Sequence, residues 1–196
     1  MEDATLKDQV KRRAILDAAC PVFAQYGFRR TSMGDIAQAA GMSRPALYQY
    51  YQGKEDIARS TVQVFFEDAA QAVALALSEP GPVADVLARA FRAKGGEFMA
   101  MLLTSPHGSE LVDVGSTVAA DLARDGTERL VAIFAAWLRQ EAAAGRVTLL
   151  DRPEDLASTM LAALEGAKAG GRTPDYAGYL AHLDRLARLF GAALAV

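Results

Sequence analysis

The chain is poor in the residues that build cross-linked, metal-bound or membrane-spanning proteins. Its one cysteine, Cys20, excludes an intramolecular disulfide and fits a reducing, cytoplasmic setting. Its two histidines, His107 and His182, lie far from each other and from Cys20, so no familiar zinc-ligand spacing occurs and no metal or other cofactor is expected. No apolar run reaches the roughly 18 residues a membrane span requires. The charged start is not followed by an apolar stretch, so no signal peptide is expected. Strings that carry catalysis are missing too. There is no G-x-S-x-G elbow, no phosphate-loop run and no H-E-x-x-H pair, so nothing argues for an enzyme. Neither a solenoid-length repeat nor a low-complexity tract is found.

What is present is a composition able to bury a core. Of the 196 residues, 52% are hydrophobic and 23% charged, which excludes a disordered chain. The net charge of −3 is unevenly spread. Residues 1–60 hold nine Lys/Arg against seven Asp/Glu, leaving twelve against seventeen for the remainder. A basic-leaning head on an acidic body suits a protein whose head alone meets phosphate.

The apolar pattern repeats with the helical period almost throughout. Ile15, Ala19, Val22, Phe23 and Tyr26 form one face of a first helix that ends at Gly27. Pro21 lies inside it and should make a local irregularity, not an end, because the apolar face continues past it. Thr31 or Ser32 caps a short second helix, and Ser32 with Asp35 approximates a capping box. Its buried face is Met33, Ile36, Ala37 and Ala40, and Gly41 ends it. Ser43 then caps a third helix that carries Pro45 in its first turn and runs to about Tyr51. Longer helices are expected over about 54–77, 83–104, 109–122, 126–144, 153–169 and 174–194. Pro- and Gly-rich breaks near residues 78–82, 105–108 and 170–174, together with Gly126 and Gly145, separate them. Val147 to Leu150 has some strand character but no partner run, and reads as a loop.

Helix, turn at Gly41 and helix over about 32–51 is the spacing of a helix-turn-helix, whose second helix enters the major groove by its N-terminal end. Ser43, Arg44, Pro45 and Gln49 then lie on the leading face. Arg can take guanine bidentately, Gln can take adenine, and Pro45 can pack on a thymine methyl. Thr31 and Ser32 put hydroxyls and free amides at a helix N-terminus, a seat for phosphate. Tyr48, Tyr50 and Lys54 are candidate phosphate contacts. Each has a plainer alternative. Tyr48 and Tyr51 could be core residues, Ser32 only a cap, and Lys54 an ordinary helix-start lysine, although a cation there opposes the helix dipole. The pairs Arg12-Arg13 and Arg29-Arg30 could be solvated charge or backbone contacts. Cys20 reads as a small buried apolar residue, His107 as a loop residue and His182 as a helix-surface or interface residue.

The string Thr31 to Ser43, followed by Leu47 to Ile57, resembles the second helix, turn, recognition helix and fourth-helix start of the TetR family of transcription regulators. Ile15 to Gly27 is similar to that family's first helix. Pro21, and Tyr50-Tyr51 where the family often has His-Phe, depart from the pattern. The resemblance covers about residues 10–60 closely and the rest only in layout. It implies an all-α fold: a three-helix DNA-binding head over 1–53, and a helical ligand-binding and dimerisation body over 54–196. It also implies a repressor that is released from a palindromic operator by a small hydrophobic effector. The partners would be double-stranded DNA and a second copy of the chain. The dimer face would carry Leu156, Met160, Ala163, Leu164 and Ala167 from the penultimate helix, and Leu180, Leu183, Leu186, Ala187 and Phe190 from the last. Phe98, Met101, Leu102, Phe134 and Trp137 would line the effector pocket. Both sets have the composition of an ordinary core as well. A helical enzyme and a non-specific architectural DNA binder are the rival readings. Turnover would revive the first, and indifference to a palindrome the second.

Overall fold

The computed structural model describes residues 2–169 and 175–196, with side chains for 6–166 and 175–196. Among these the protein is all-α, and no strand occurs. The helices in chain order are α1 (Glu2–Tyr26), α2 (Met33–Ala39), α3 (Arg44–Leu47), α4 (Lys54–Ser78), α5 (Val83–Thr104), α6 (Gly108–Val118), α7 (Ala120–Ala143), α8 (Pro153–Ala169) and α9 (Tyr176–Ala193). The expected separator over residues 170–174 lies outside the described residues.

The described residues fall into two compact units, Met1–Val64 with Thr104–Ala123, and Phe65–Leu103 with Arg124–Val196. The first is built on α1. This helix runs unbroken through Pro21, so the proline removes one backbone hydrogen bond without ending the helix. It stops at Gly27, whose φ of +84° gives the left-handed residue that commonly closes a helix. The capping box at α2 is complete: the Ser32 side chain accepts from the Asp35 amide, and the Asp35 carboxylate accepts from the Ser32 amide. Ile15 and Phe23 of α1, Ile36 of α2, Leu47 of α3 and Ile57 of α4 meet in one core, each almost fully buried. Leu111 and Val114 of α6 pack against it.

The third helix is shorter than the sequence pattern predicts. It is regular only over Arg44–Leu47, and turns occupy residues 48–50. Gln49 and Tyr50 donate to Ala46 and Leu47, three residues back, at 3.2 and 3.0 Å. This tighter pattern is how a helix end satisfies its last carbonyls.

In the second unit α5, α7, α8 and α9 share a core that includes Leu87, Phe91, Leu130, Phe134, Met160 and Leu183, all at most 1% exposed. Phe91 is its hub, with ring centroids 5.9 Å from Phe134 and 6.2 Å from Phe190. Two glycines differ from expectation. Gly126 is not a separator; it lies inside α7, where an added Cβ would overlap the Phe66 ring, so the glycine admits the aromatic. The break falls earlier, at Ala119, which has φ −133° and ψ 32°. Gly96 interrupts α5 with φ +52° and ψ −154°, a conformation that side-chain-bearing residues avoid. Residues 147–149 form no strand, and the Thr148 amide donates to the Leu194 carbonyl at 3.0 Å.

Candidate nucleic-acid interface

The interface is built from α3 outward. Ser43 caps the helix, its hydroxyl accepting from the Ala46 amide at 3.3 Å. Leu47, fully buried, turns one side of α3 into the core. Around it Ser43, Arg44, Pro45, Tyr48 and Gln49, in α3 and next to its ends, are all exposed. The structure thus groups the four candidates for base readout on one surface. Tyr48 is not a core residue. Its hydroxyl lies 3.4 Å from the Arg44 Nη2 donor, and the guanidinium carbon is 5.6 Å from the ring centroid. The tyrosine therefore orients the arginine on the exposed face. Tyr51, by contrast, is core, 3% exposed, and its hydroxyl donates to the Arg12 carbonyl at 3.4 Å.

Arg12 closes the other end of the motif. Its Nη1 donates to the Tyr50 carbonyl at 2.7 Å, and its guanidinium lies 5.7 and 5.5 Å from the Tyr50 and Tyr51 ring centroids. The sequence placed Arg12 only as solvated charge or a backbone contact. No local pattern could have shown this bond, which spans 38 residues.

The candidates for the phosphate seat at α2 bond within the head. Thr31 is 3% exposed, and its hydroxyl donates to the Gly27 carbonyl at 2.8 Å, so it closes the α1–α2 turn. Ser32 is exposed, but its amide and hydroxyl both donate to Asp35 Oδ2 at 2.8 Å. Those donors hold the Asp35 carboxyl below the usual carboxylate range. Lys54 points inward as well. Its Nζ donates to the carbonyls of Phe28, Arg29 and Thr31 at 2.9, 3.0 and 3.1 Å. Tyr50 is half-buried.

His107 is more than a loop residue. Its amide donates to the Ala24 carbonyl at 2.9 Å, and Arg30 Nη2 lies 2.7 Å from its Nε2. Cys20 hydrogen-bonds weakly to Thr61, and burial pushes its thiol up to about 11, the opposite of a reactive thiolate. Among the described residues no group of three His, Cys, Asp or Glu is placed to hold a metal, and no helix is long and apolar enough to cross a membrane.

The five residues expected to line an effector pocket have these surroundings among the described residues. Phe134 packs in the core on Phe91, and Leu102 is buried. Phe98 lies 5.0 Å from Phe65, centroid to centroid, and Met101 is half-buried. Trp137 lines a cavity of about 630 Å³, with Leu77, Val86, Ile133, Glu141 and Arg146. The expected dimer face also divides. Met160, Leu164, Leu183 and Ala187 are at most 1% exposed within a single chain, so the chain's own core fills that space. Leu156, Ala163, Leu180, Leu186 and Phe190 are half-buried. The Ala167 side chain lies outside the described residues.

Fold and surface together define an all-helical protein with an N-terminal helix-turn-helix. Residues 15–61 match the family described as bacterial regulatory proteins, tetR family. It is 45% identical over 49 residues to the transcriptional regulator AcrR of Shigella flexneri, 25% of this chain and 23% of that protein. It is 30% identical over 111 residues to the transcriptional repressor ComR of Escherichia coli, 56% of this chain and 52% of that protein. The chain thus matches about a quarter to a half of the length of these two relatives. The fold extends further. A TetR-family regulator from Mesorhizobium loti superposes with a TM-score of 0.69 at 24% identity, over 96% of this chain and 98% of that one. The triclosan complex of SmeT, the repressor of a Stenotrophomonas maltophilia multidrug efflux pump, gives 0.68 at 18% identity, over 95% and 92%.

Proposed function

We propose that the protein is a sequence-specific transcription regulator without catalytic activity: a repressor that binds a palindromic operator as a homodimer and leaves it when a small hydrophobic effector binds. The observation that carries this reading is the exposure of Ser43, Arg44, Pro45 and Gln49 along and beside α3 while Leu47 locks the helix to the core. Those side chains match the hydrogen-bonding edges of the major groove. In this reading residues 1–53 are the DNA-binding head, and residues 54–196 bind the effector and the second copy. Such a protein works on chromosomal DNA in the cytoplasm. Likeness in fold to SmeT, of which a triclosan complex is known, supports a small-molecule effector. Release follows from linkage: an effector that binds better to a conformation with mismatched heads weakens operator binding by that difference in affinity.

Selection of genomic fragments with the purified protein tests the proposal. A recurring palindrome with two half-sites about one helical turn apart is the expected result. Fragments recovered without sequence preference would leave only an architectural DNA binder, and recovery of no DNA would remove the reading altogether.

A further inference from the structure

We infer that Lys54 is a positioning residue for DNA binding: it acts through the backbone of residues 28–31 and not through a phosphate. The inference rests on the DNA-binding reading above. An ammonium group has three protons. Here three carbonyls, those of Phe28, Arg29 and Thr31, accept from Nζ at 2.9, 3.0 and 3.1 Å. The Phe28 ring adds a cation–π contact, with its centroid 4.9 Å from Nζ. Every donor of the group is thereby engaged inside the head.

The convergence of those carbonyls is a property of the loop. Gly27 reverses the chain with φ +84°, and Thr31 returns both its amide and its hydroxyl to the Gly27 carbonyl, at 3.2 and 2.8 Å. The oxygens of Phe28, Arg29 and Thr31 are left facing one point. Without a cation there they would repel one another or need water. Lys54 is the first residue of α4, where its charge opposes that helix's own dipole. Its placement therefore serves the loop and not α4.

The effect reaches the DNA surface through α2. The Thr31 carbonyl that Lys54 holds belongs to the peptide bond entering Ser32, the N-cap of α2. The entry of the chain into α2 is thus held from α4, across 23 residues of sequence. The Gly41 turn joins α2 directly to α3. Removing the ammonium frees the α2 entry while every DNA-facing side chain of α3 remains.

The test uses the full chain and a duplex enriched by the wild type from a random-sequence library. Lys54→Met should bind that duplex at least about tenfold more weakly, since hydrogen bonds to a charged group are lost. The log–log dependence on salt should keep the wild-type slope, and circular dichroism should show the helix content intact at the assay temperature. A slope reduced by about 0.9 per half-site would mean that Lys54 neutralises a phosphate and would overturn the inference. So would an unchanged affinity with a lowered unfolding temperature, which marks structural support alone. If Lys54→Met does not fold, the wild type decides. Its ¹⁵N-labelled Lys54 ammonium signal should be protected from solvent exchange in the free protein and stay in place when the duplex is added. A shift on adding DNA would contradict the inference. Enrichment of no duplex at all would remove the DNA-binding reading and this role with it, an outcome distinct from a lost salt slope.

Discussion

Arg44 and Gln49 are the residues on which sequence preference should depend. Both are exposed, Arg44 in α3 and Gln49 in the turn after it, and Arg44 is already oriented by Tyr48 before any DNA arrives. Replacing either by alanine should weaken binding to the operator by about 1–3 kcal/mol and relax the preference at one position per half-site. Competition binding against single-base variants of the selected duplex measures both quantities. Two variants with wild-type affinity and unaltered preference would take these residues out of the readout set. At this scale the sequence was legible where a residue's role follows from its own helix: Leu47 as the inward anchor, Ser43 as the cap, Tyr51 as core. It was illegible where the partner lies far along the chain. Thr31, Arg12 and Lys54 look like candidates for solvent or phosphate in their local context. Each in fact donates to a backbone carbonyl that loop geometry brings into reach.

Helices were legible where the apolar period runs between proline or glycine breaks, as in α4 and α8. They were misjudged where glycine does another job. Gly126 gives room to Phe66 inside α7, so the same residue type that ends a helix at Gly27 continues one here. The run Leu47 to Tyr51 looked helical because both ends are apolar, yet the last turn tightens to finish α3. Two predictions belong to elements. Ser32→Ala removes half of the capping box and should destabilise the head by about 1 kcal/mol, read as a lower urea midpoint; an unchanged midpoint would mean that the box adds nothing. The second concerns the junction of α4 with α6 and α7. Arg59 grips Asp121 with both Nη atoms, at 2.9 and 2.7 Å, and also donates to the Val118 carbonyl at 2.6 Å. This holds the Asp121 carboxyl well below the usual range, at about 2. A depressed folded-state value stabilises the fold above the ordinary carboxylate pKa. That stabilisation is lost as pH falls towards about 2 and through it. The gap in unfolding temperature between wild type and Asp121→Asn should therefore be constant above about pH 5 and shrink at more acid pH. A gap that stayed the same down to pH 2 would show that the ion pair is not its source.

For the whole molecule, the question is which surface meets a second copy. Helical periodicity reveals that a face is buried but not what buries it, so one apolar stripe on α8 and another on α9 read equally well as core and as interface. The structure divides them. Met160 and Leu183 are at 0% exposure inside one chain, and Leu164 and Ala187 are at 1%. Leu156, Ala163, Leu180 and Leu186 keep part of their surface in solvent, and Leu189 of α9 is 67% exposed. If the dimer forms through these two helices, its contacts must come from this second group. A charge placed there is left unpaired only when two copies meet, whereas a charge at Leu183 is unpaired in every folded molecule. Leu186→Glu and Ala163→Arg should therefore shift sedimentation at micromolar concentration from dimer to monomer while the unfolding temperature of the monomer stays near that of the wild type. Leu183→Glu should unfold the second unit instead. Loss of pairing should also weaken operator binding, because one head reads only one of two half-sites about 34 Å apart. A wild type that sediments as a monomer, or a Leu186→Glu protein that remains a dimer and holds its operator as tightly as before, would place the interface elsewhere on the molecule.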